Sequence, residues 1–329
     1  EKTGALLAWA CLGLGALALA ASALLFTYVY TTSRQLGAER PPIRLVDPAS
    51  GIASGADGHV RVSVSSDPHW GAPGSDAAAR SAILEGIAAA RPRKDALLIL
   101  GDNVELGMED GPWREELTEL SAALPDTPVL SLMGNHDALI NGQFHYAAYF
   151  GAAATDTGEP YYWSMDLGPA RLIVLELLWG DESFGRRQEA WLERALASLP
   201  PGRQVIAVSH SFIYGSGYVD PETGMAWYDS PGPITRVAPI LERHRVALLV
   251  SGHNHYMELL EHGPTVYAVI GAMGGQSDPE PSHVSPQSRW LRRGAFGRLD
   301  LDIGPDGIAL AFVDSGGAVL HRAFIPARP

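Results

Sequence analysis

Val60-Arg61-Val62-Ser63-Val64-Ser65-Ser66-Asp67-Pro68-His69 decides how the rest of the chain is read. Its first five residues alternate and are β-branched at every second position, the pattern of a strand. The strand then runs straight into an aspartate and a histidine. The same event recurs downstream. Ala96–Leu100 ends at Gly101-Asp102-Asn103, and Val129–Met133 ends at Gly134-Asn135-His136-Asp137. Val205–Val208 ends at Ser209-His210, and Ala247–Val250 ends at Ser251-Gly252-His253-Asn254-His255. Short, wholly apolar runs of this kind are expected of strands buried on both faces.

Helical patterns lie between the strands. Ser75-Asp76 can cap a helix that runs to Ala90 and is stopped by Pro92. A second fits Trp113–Leu124, Gln188–Leu192 sits in a third, and Pro239 can open a short one over Ile240–His244. Arg171–Leu175 is a further strand. Beyond it the character changes: Phe296–Ile303, Ile308–Val313 and Val319–Ile325 read as antiparallel strands joined by Gly-Pro-Asp-Gly and Ser-Gly-Gly turns. No internal repeat is visible.

In α/β sheets the carboxyl ends of strands are where ligand sites gather, because loops there converge on one crevice. Taken singly, each cluster is weak. Asp-Pro is a common turn, Gly-Asp-Asn after a strand is another, and His210 alone would suit a satisfied buried histidine. Jointly, Asp67, His69, Asp102, Asn135, His210, His253 and His255 all fall at strand ends and all offer oxygen or imidazole donors. Carboxylate and imidazole without thiolate suit Mn, Fe, Zn or similar ions. An aspartate can bridge two cations lying about 3.5–4 Å apart.

The ordered set Asp67-x-His69, Gly101-Asp102, Gly134-Asn135-His136-Asp137, His210 and Gly252-His253-x-His255 resembles the calcineurin-like metallophosphoesterase superfamily. The resemblance covers essentially the whole soluble part. The stretch from Tyr161-Tyr162-Trp163 to Leu175, the Gln188–Leu192 helix and the closing strands also resemble purple-acid-phosphatase-like members, whose motif nevertheless lacks a histidine at the place of His69. The resemblance implies an α/β fold, a four-layer αββα sandwich of two mixed sheets back to back. It implies two divalent or trivalent ions, Mn, Fe or Zn. Asp67, His69 and His255 would hold one ion, and Asn135, His210 and His253 the other, with Asp102 between them. His136 would not ligate but would act as general acid, a task that suits imidazole. The activity implied is hydrolysis of a phosphate mono- or diester by a metal-bridging hydroxide that attacks in line, without a covalent enzyme intermediate.

Protein phosphatases of this superfamily carry Asp-Arg-Gly after the bridging motif and Arg before Gly-Asn-His-Glu. Here Gly101-Asp102-Asn103-Val104-Glu105-Leu106-Gly107 and Met133 stand in those places, which disfavours that activity. Glu105 is either a group that orients His136 or a solvated side chain. The insertion Tyr214–Pro233, with Tyr214, Tyr218, Trp227 and Tyr228, either lines the cleft or is an aromatic-pinned loop. His59, His145, His244, His262, His283 and His321 match no motif position and are expected to pack or to lie on the surface.

The formal charge of −13 argues against a nucleic-acid coat role or a domain lying on anionic lipid. An acidic chain can still bind phosphate where cations supply local positive charge. The one cysteine, Cys11, excludes a disulfide framework and thiolate chemistry in the soluble part. Between Lys2 and Arg34 no residue is charged, and residues 5–30, rich in Leu and Ala, are long enough to cross a hydrocarbon core of about 30 Å. Ala21-Ser22-Ala23 resembles a signal-peptide cleavage site, but the apolar run continues past it. The expected organisation is therefore a transmembrane anchor over 1–33, a linker over 34–58 and one phosphoesterase domain over 59–329. Gly13, Gly15 and the alanines would allow a membrane-protein partner through the anchor. Arg34, Arg40 and Arg44 would place the flank after the span in the cytoplasm, yet long domains translocate largely regardless of such charges. The expectation is a single-pass protein with its soluble domain periplasmic or otherwise extracytoplasmic. A different class stays open, an accessory or scaffold subunit of a membrane complex that retains the phosphoesterase fold.

Overall fold

The alternating stretch forms β1 (Val60–Ser65) inside a six-stranded sheet of the computed structural model, which describes residues 2–35, 43–151 and 155–327. Val60, Val62 and Val64 enter the core between two sheets. The intervening hydroxyls of Ser63 and Ser65 donate to Asp300 Oδ1 at 2.7 Å and to the Gly297 carbonyl at 2.9 Å. β1 pairs in parallel with β2 (Ala96–Ile99), and β2 in parallel with β3 (Val129–Ser131). The central β1 leaves every strand end on this side facing one way.

In the second sheet β4 (Trp163–Leu167) pairs antiparallel with β5 (Ala170–Val174), which runs parallel to β6 (Gln204–Val208). A two-stranded hairpin, β7 (Tyr218–Val219) and β8 (Ala226–Trp227), follows. β9 (Leu248–Ser251) lies parallel to β6, and β10 (Met257–His262), β11 (Thr265–Ile270) and β12 (Ser288–Arg292) complete seven strands in the order β12-β10-β11-β9-β6-β5-β4. The closing strands β13 (Gly297–Gly304), β14 (Gly307–Asp314) and β15 (Val319–Pro326) are antiparallel, as their patterning implies, and extend the first sheet to β15-β14-β13-β1-β2-β3. Both sheets are mixed.

Helix α1 (Lys2–Gln35) is a unit by itself. It carries an apolar stretch, Trp9–Tyr28, of 20 residues with mean hydropathy 2.0. Helices α2 (Ala77–Ala88) and α3 (Asp110–Ala123) pack against each other beside the first sheet. Asp76 caps α2 by accepting from Ala79 N at 2.9 Å. α3 begins earlier than Trp113, with Asp110 in its first turn, where a carboxylate meets the positive end of the helix. A short α4 (Gln143–Tyr149) follows β3. Helices α5 (Arg186–Ala197), α6 (Pro231–Arg236) and α7 (Ala238–Arg243) cover the second sheet. Trp191, Leu192, Ile240 and Leu241 pack there against Ile173, Val205, Ala207 and Leu249. The layers run helix, sheet, sheet, helix.

Two departures from the sequence reading have physical causes. The β10 strand has no apolar strand pattern because its run, Met-Glu-Leu-Leu-Glu-His, carries a fully buried Glu258. That carboxylate is satisfied by the Ser216 N–H at 2.8 Å and the Ser216 hydroxyl at 2.5 Å. The expected linker also ends sooner than residue 58: Arg44 and Val46 exchange backbone hydrogen bonds with Val129, and Ile52 bridges Leu167. Residues 36–42 of that linker lie outside the described residues.

Leu98, 1% exposed, belongs to the core between the sheets. Leu98→Ala is expected to lower stability by about 2–5 kcal/mol and Leu98→Met by less than about 1.5 kcal/mol. Urea unfolding of the full chain, followed by far-UV circular dichroism, measures both.

Candidate metal centre

β1, β2 and β3 are adjacent and parallel, and so are β6 and β9 in the facing sheet. The residues that follow these strands therefore meet at one end of the sandwich. The turns are sharp. Asp67 (φ 59), His69 (φ 46), Asp102 (φ 48) and His253 (φ 72) all take left-handed backbone conformations. Such conformations cost side-chain-bearing residues about 1–3 kcal/mol each and persist only where the surroundings enforce them. Here the loops hold one another: Asp67 N donates to Gly101 O at 3.1 Å, His69 N to Asp102 O at 3.1 Å, and Gly252 N to His210 O at 2.9 Å. Gly134 passes so close that a Cβ would stand 2.2 Å from Asp102 N.

Each buried aspartate divides its oxygens between two tasks. Asp102 Oδ1 accepts from His136 N at 2.8 Å, while Oδ2 faces His210 Nε2 at 3.4 Å and His69 Nε2 at 3.6 Å. Asp67 Oδ2 accepts from His253 N at 3.0 Å, while Oδ1 faces His255 Nε2 at 3.3 Å and His69 Nε2 at 3.9 Å. Asp67, His69 and His255 form one donor group, and Asp102, His210 and His253 another. Asn135 Oδ1 joins the second group, 2.8 Å from His210 Nε2, and His253 Nδ1 lies 3.1 Å from the same atom.

The outer ring nitrogens fix where the protons sit. Nδ1 of His69 meets Glu105 Oε2 at 2.8 Å, Nδ1 of His210 meets the Leu100 carbonyl at 2.9 Å, and Nδ1 of His255 meets the Gln276 carbonyl at 2.5 Å. Carbonyls and carboxylates only accept, so all three Nδ1 atoms donate and all three Nε2 atoms point inward. His69 Nε2 is a buried polar atom with no hydrogen-bond partner. Inward-facing nitrogens, amide oxygen and carboxylate oxygens fit a cation better than they fit one another.

The electrostatics agree. Burial alone would raise both aspartates, but the hydrogen bond from His255 and the charge of His210 bring Asp67 down to about 2. Against the same burial, His210 holds Asp102 well below the carboxylate range. Reciprocally, burial would lower the imidazoles, yet Asp102 lifts His210 to about 9 and Asp67 lifts His255 to about 10. His253 is pushed down to about 3 by burial and by its charged neighbour His210. Without cations, protons balance the two carboxylates.

All seven donor residues singled out in the sequence gather here, and His136 lies beside His69 and Asp102. Its Nδ1 donates to the Glu105 carbonyl at 2.8 Å. Glu105 thus holds two histidines, His69 by its carboxylate and His136 by its backbone. Three further residues shape the site, of which Asp278 and Trp179 carry no motif signal and Asp137 closes the Gly134–Asp137 motif without an expected role. Asp137, fully buried, accepts from Gly134 N, Val104 N and Asn103 Nδ2 and braces the turn that carries Asn135 and His136. Asp278 Oδ2 accepts from His255 N at 2.8 Å. Trp179 stands edge-on to His253, with ring centroids 5.8 Å apart. Of the inserted aromatics, Trp227 lies 5.1 Å from the His253 ring, whereas Tyr214 stacks on His262 and Tyr228 on His283. The remaining histidines pair away from the centre: His59 with Asp302, His145 near Asp110, His244 with Glu193, and His321 against Trp290.

A two-sheet sandwich with carboxylate and imidazole donors at its parallel strand ends defines a class of metal-competent proteins. Residues 60–257 match the family described as Calcineurin-like phosphoesterase, and the chain belongs to that family. A probable cyclic nucleotide phosphodiesterase of Rhodococcus erythropolis is 30% identical over 178 residues, 53% of this chain and 56% of that protein. The tartrate-resistant acid phosphatase type 5 of Rattus norvegicus is 22% identical over 269 residues, 71% of this chain and 80% of that protein. Among solved structures, a purple acid phosphatase from yellow lupin superposes with a TM-score of 0.68 at 16% identity, over 85% of this chain and 55% of that one. GAP50, described as the anchor in the inner membrane complex of Plasmodium, gives 0.61 at 16% identity, over 82% of this chain and 90% of that one. The chain thus spans little more than half of the Rhodococcus and lupin proteins.

Gly134→Ala drives a Cβ into backbone, and no rotamer relieves it. It is expected to cost more than about 2 kcal/mol, whereas Gly111→Ala, inside α3 with open space around it, is expected to gain about 0.5 kcal/mol. Thermal midpoints of opposite sign relative to the parent chain are the measurement.

Proposed function

We propose that the chain is a membrane-anchored phosphoesterase that hydrolyses a phosphate mono- or diester with a pair of metal ions. The observation that carries this reading is the convergence of three inward Nε2 atoms, on rings anchored through Nδ1, with one amide oxygen and two carboxylates. Asp67, His69 and His255 would hold one ion, and Asn135, His210 and His253 the other, with Asp102 between. Mn, Fe and Zn suit such donors. When bound, the ions supply Lewis-acid charge to the phosphoryl oxygens and a more acidic water. His136, steered by the Glu105 carbonyl, presents Nε2 to the cleft and gives a proton to the leaving oxygen. Asp137 and Gly134 keep its turn in register. Helix α1 supports the anchor: the 20-residue apolar stretch spans about 30 Å at roughly 1.5 Å per residue. We assign the domain it would tether to the extracytoplasmic side.

Three outcomes test this reading. The full chain loaded with Mn is expected to hydrolyse p-nitrophenyl phosphate or its bis ester and to lose that activity in chelator, with metal content measured by mass spectrometry. Bound metal without turnover on any phosphoester would instead favour a scaffold subunit. His136→Ala is expected to lower kcat by about 10²–10⁴ on alkyl phosphates and far less on p-nitrophenyl esters, whose leaving group needs no proton. Finally, His210 near 9 and His255 near 10 both carry protons at pH 7, and a cation displaces them. Loading is expected to release about two protons per chain, so affinity rises with pH and falls in acid. Calorimetry in buffers of different ionisation enthalpy reads the number.

A further inference from the structure

Two indole rings stand beside the donor cluster and take no part in holding it. Trp179 lies in the segment between β5 and α5 and is 47% exposed. The ring centroid is 6.5 Å from that of His136 and 5.8 Å from that of His253. The segment is pinned rather than free. Trp179 N donates to Glu182 Oε1 at 2.8 Å, its carbonyl accepts from the Ser211 hydroxyl at 3.2 Å, and Arg236 grips Asp181 at 2.9 Å. Trp227, on β8, lies 5.1 Å from His253 and 5.9 Å from Trp179.

The hairpin bearing Trp227 is tied to the metal motif itself. Asn254, between His253 and His255, is 2% exposed and spends both Nδ2 hydrogens on the carbonyls of Ser216 and Trp227, each at 2.9 Å. The residue that sets the spacing of the two histidines therefore also sets the height of the second indole above them. Asn254 is a positioning residue.

We propose that Trp179 and Trp227 form an aromatic subsite for the alcohol released on hydrolysis, and that the substrate is a phosphoester of a neutral, flat, aromatic alcohol such as a nucleoside. The proposal rests on the hydrolase reading above. Proton delivery from His136 places the leaving oxygen on the His136 side of the cleft, and Trp179 is the ring next to His136. The residue is half exposed, and a base stacked on an aromatic side chain gains about five- to hundredfold in affinity without regard to base identity. The rings of Trp179 and Trp227 are inclined at 51°, so a planar group on the first meets the second at an angle, as edge-to-face packing prefers. The Glu182 carboxylate at the Trp179 backbone and Glu105 beneath His136 make this rim acidic, which selects against leaving groups that carry further phosphates.

The test compares adenosine 5′-phosphate with ribose 5-phosphate on the full chain loaded with Mn. The two esters share the leaving oxygen and differ only in the base. The parent chain is expected to favour the nucleotide at least about tenfold in kcat/KM, chiefly through KM. Trp179→Ala is expected to bring that ratio close to one, and Trp179→Phe to keep most of it. A second readout needs no turnover: quenching of intrinsic fluorescence by adenosine, against ribose as control, weakened in Trp179→Ala. Turnover with no base preference, or a preference unchanged in Trp179→Ala, overturns the subsite and leaves the hydrolase reading intact. Trp179-dependent quenching by adenosine, with no hydrolysis of these monoesters or of the p-nitrophenyl mono- and bis esters, upholds base stacking on Trp179 and overturns the hydrolase reading.

Discussion

Asp67 and Asp102 are two carboxylates buried side by side, 0% and 2% exposed, and the end of the sandwich around them is organised to keep them charged. Burial of such groups is expensive unless opposite charge and hydrogen bonds stand close by. One oxygen of each is held by a backbone N–H, and the other is turned toward imidazole. The carboxylate charge then lifts His210 and His255 above neutrality. Cations and protons are in this sense alternative occupants of one electrostatic hollow, and the same field that raises the histidines attracts metal.

That hollow exists because strands from two different sheets end at it. The parallel trio β1, β2 and β3 delivers Asp67, Asp102 and Asn135; the parallel pair β6 and β9 delivers His210, His253 and His255. Loops from facing sheets must approach within a backbone's width, which only glycine permits. Across the sheets, a Cβ at Gly252 would lie 2.4 Å from Asp67 Oδ2; within the first sheet, one at Gly134 would meet Asp102 in the neighbouring loop. The left-handed residues beside them are strained, and the loop-to-loop hydrogen bonds are what hold that strain in place.

The strand ends and their donors were legible in the sequence because an apolar run followed at once by Asp, Asn or His is a local event. Residues that orient those donors were not, because their partners are set only in three dimensions. Glu105 lies 36 positions from His69, whose ring it fixes, and Asp278 lies 23 positions from His255. Neither has a pattern of its own. Glu105 does hold His136, but through its carbonyl, an atom every residue possesses. The β10 strand was hidden by a buried glutamate that breaks the apolar period, and Trp179 by the absence of any rule that marks an exposed aromatic until its neighbours are known.

The division of labour between the two kinds of backbone is itself informative. The candidate metal donors sit on turns that leave parallel strands and are locked by contacts between loops. The aromatic rim sits on the Trp179 segment, pinned through Glu182 and Ser211, and on the β7–β8 hairpin. Asn254 is the joint between the two, because one side chain in the middle of the His253–His255 motif carries the hairpin carbonyls. An amide is suited to that joint: it offers two donors without charge, so it ties the rim to the centre without adding to a field already balanced between carboxylates and imidazoles. Leu or Val of similar size would leave two buried carbonyls unpaired, and Asp would turn a pair of donors into acceptors facing acceptors. The identity of the residue between the two histidines is therefore constrained by the rim, not by the metal.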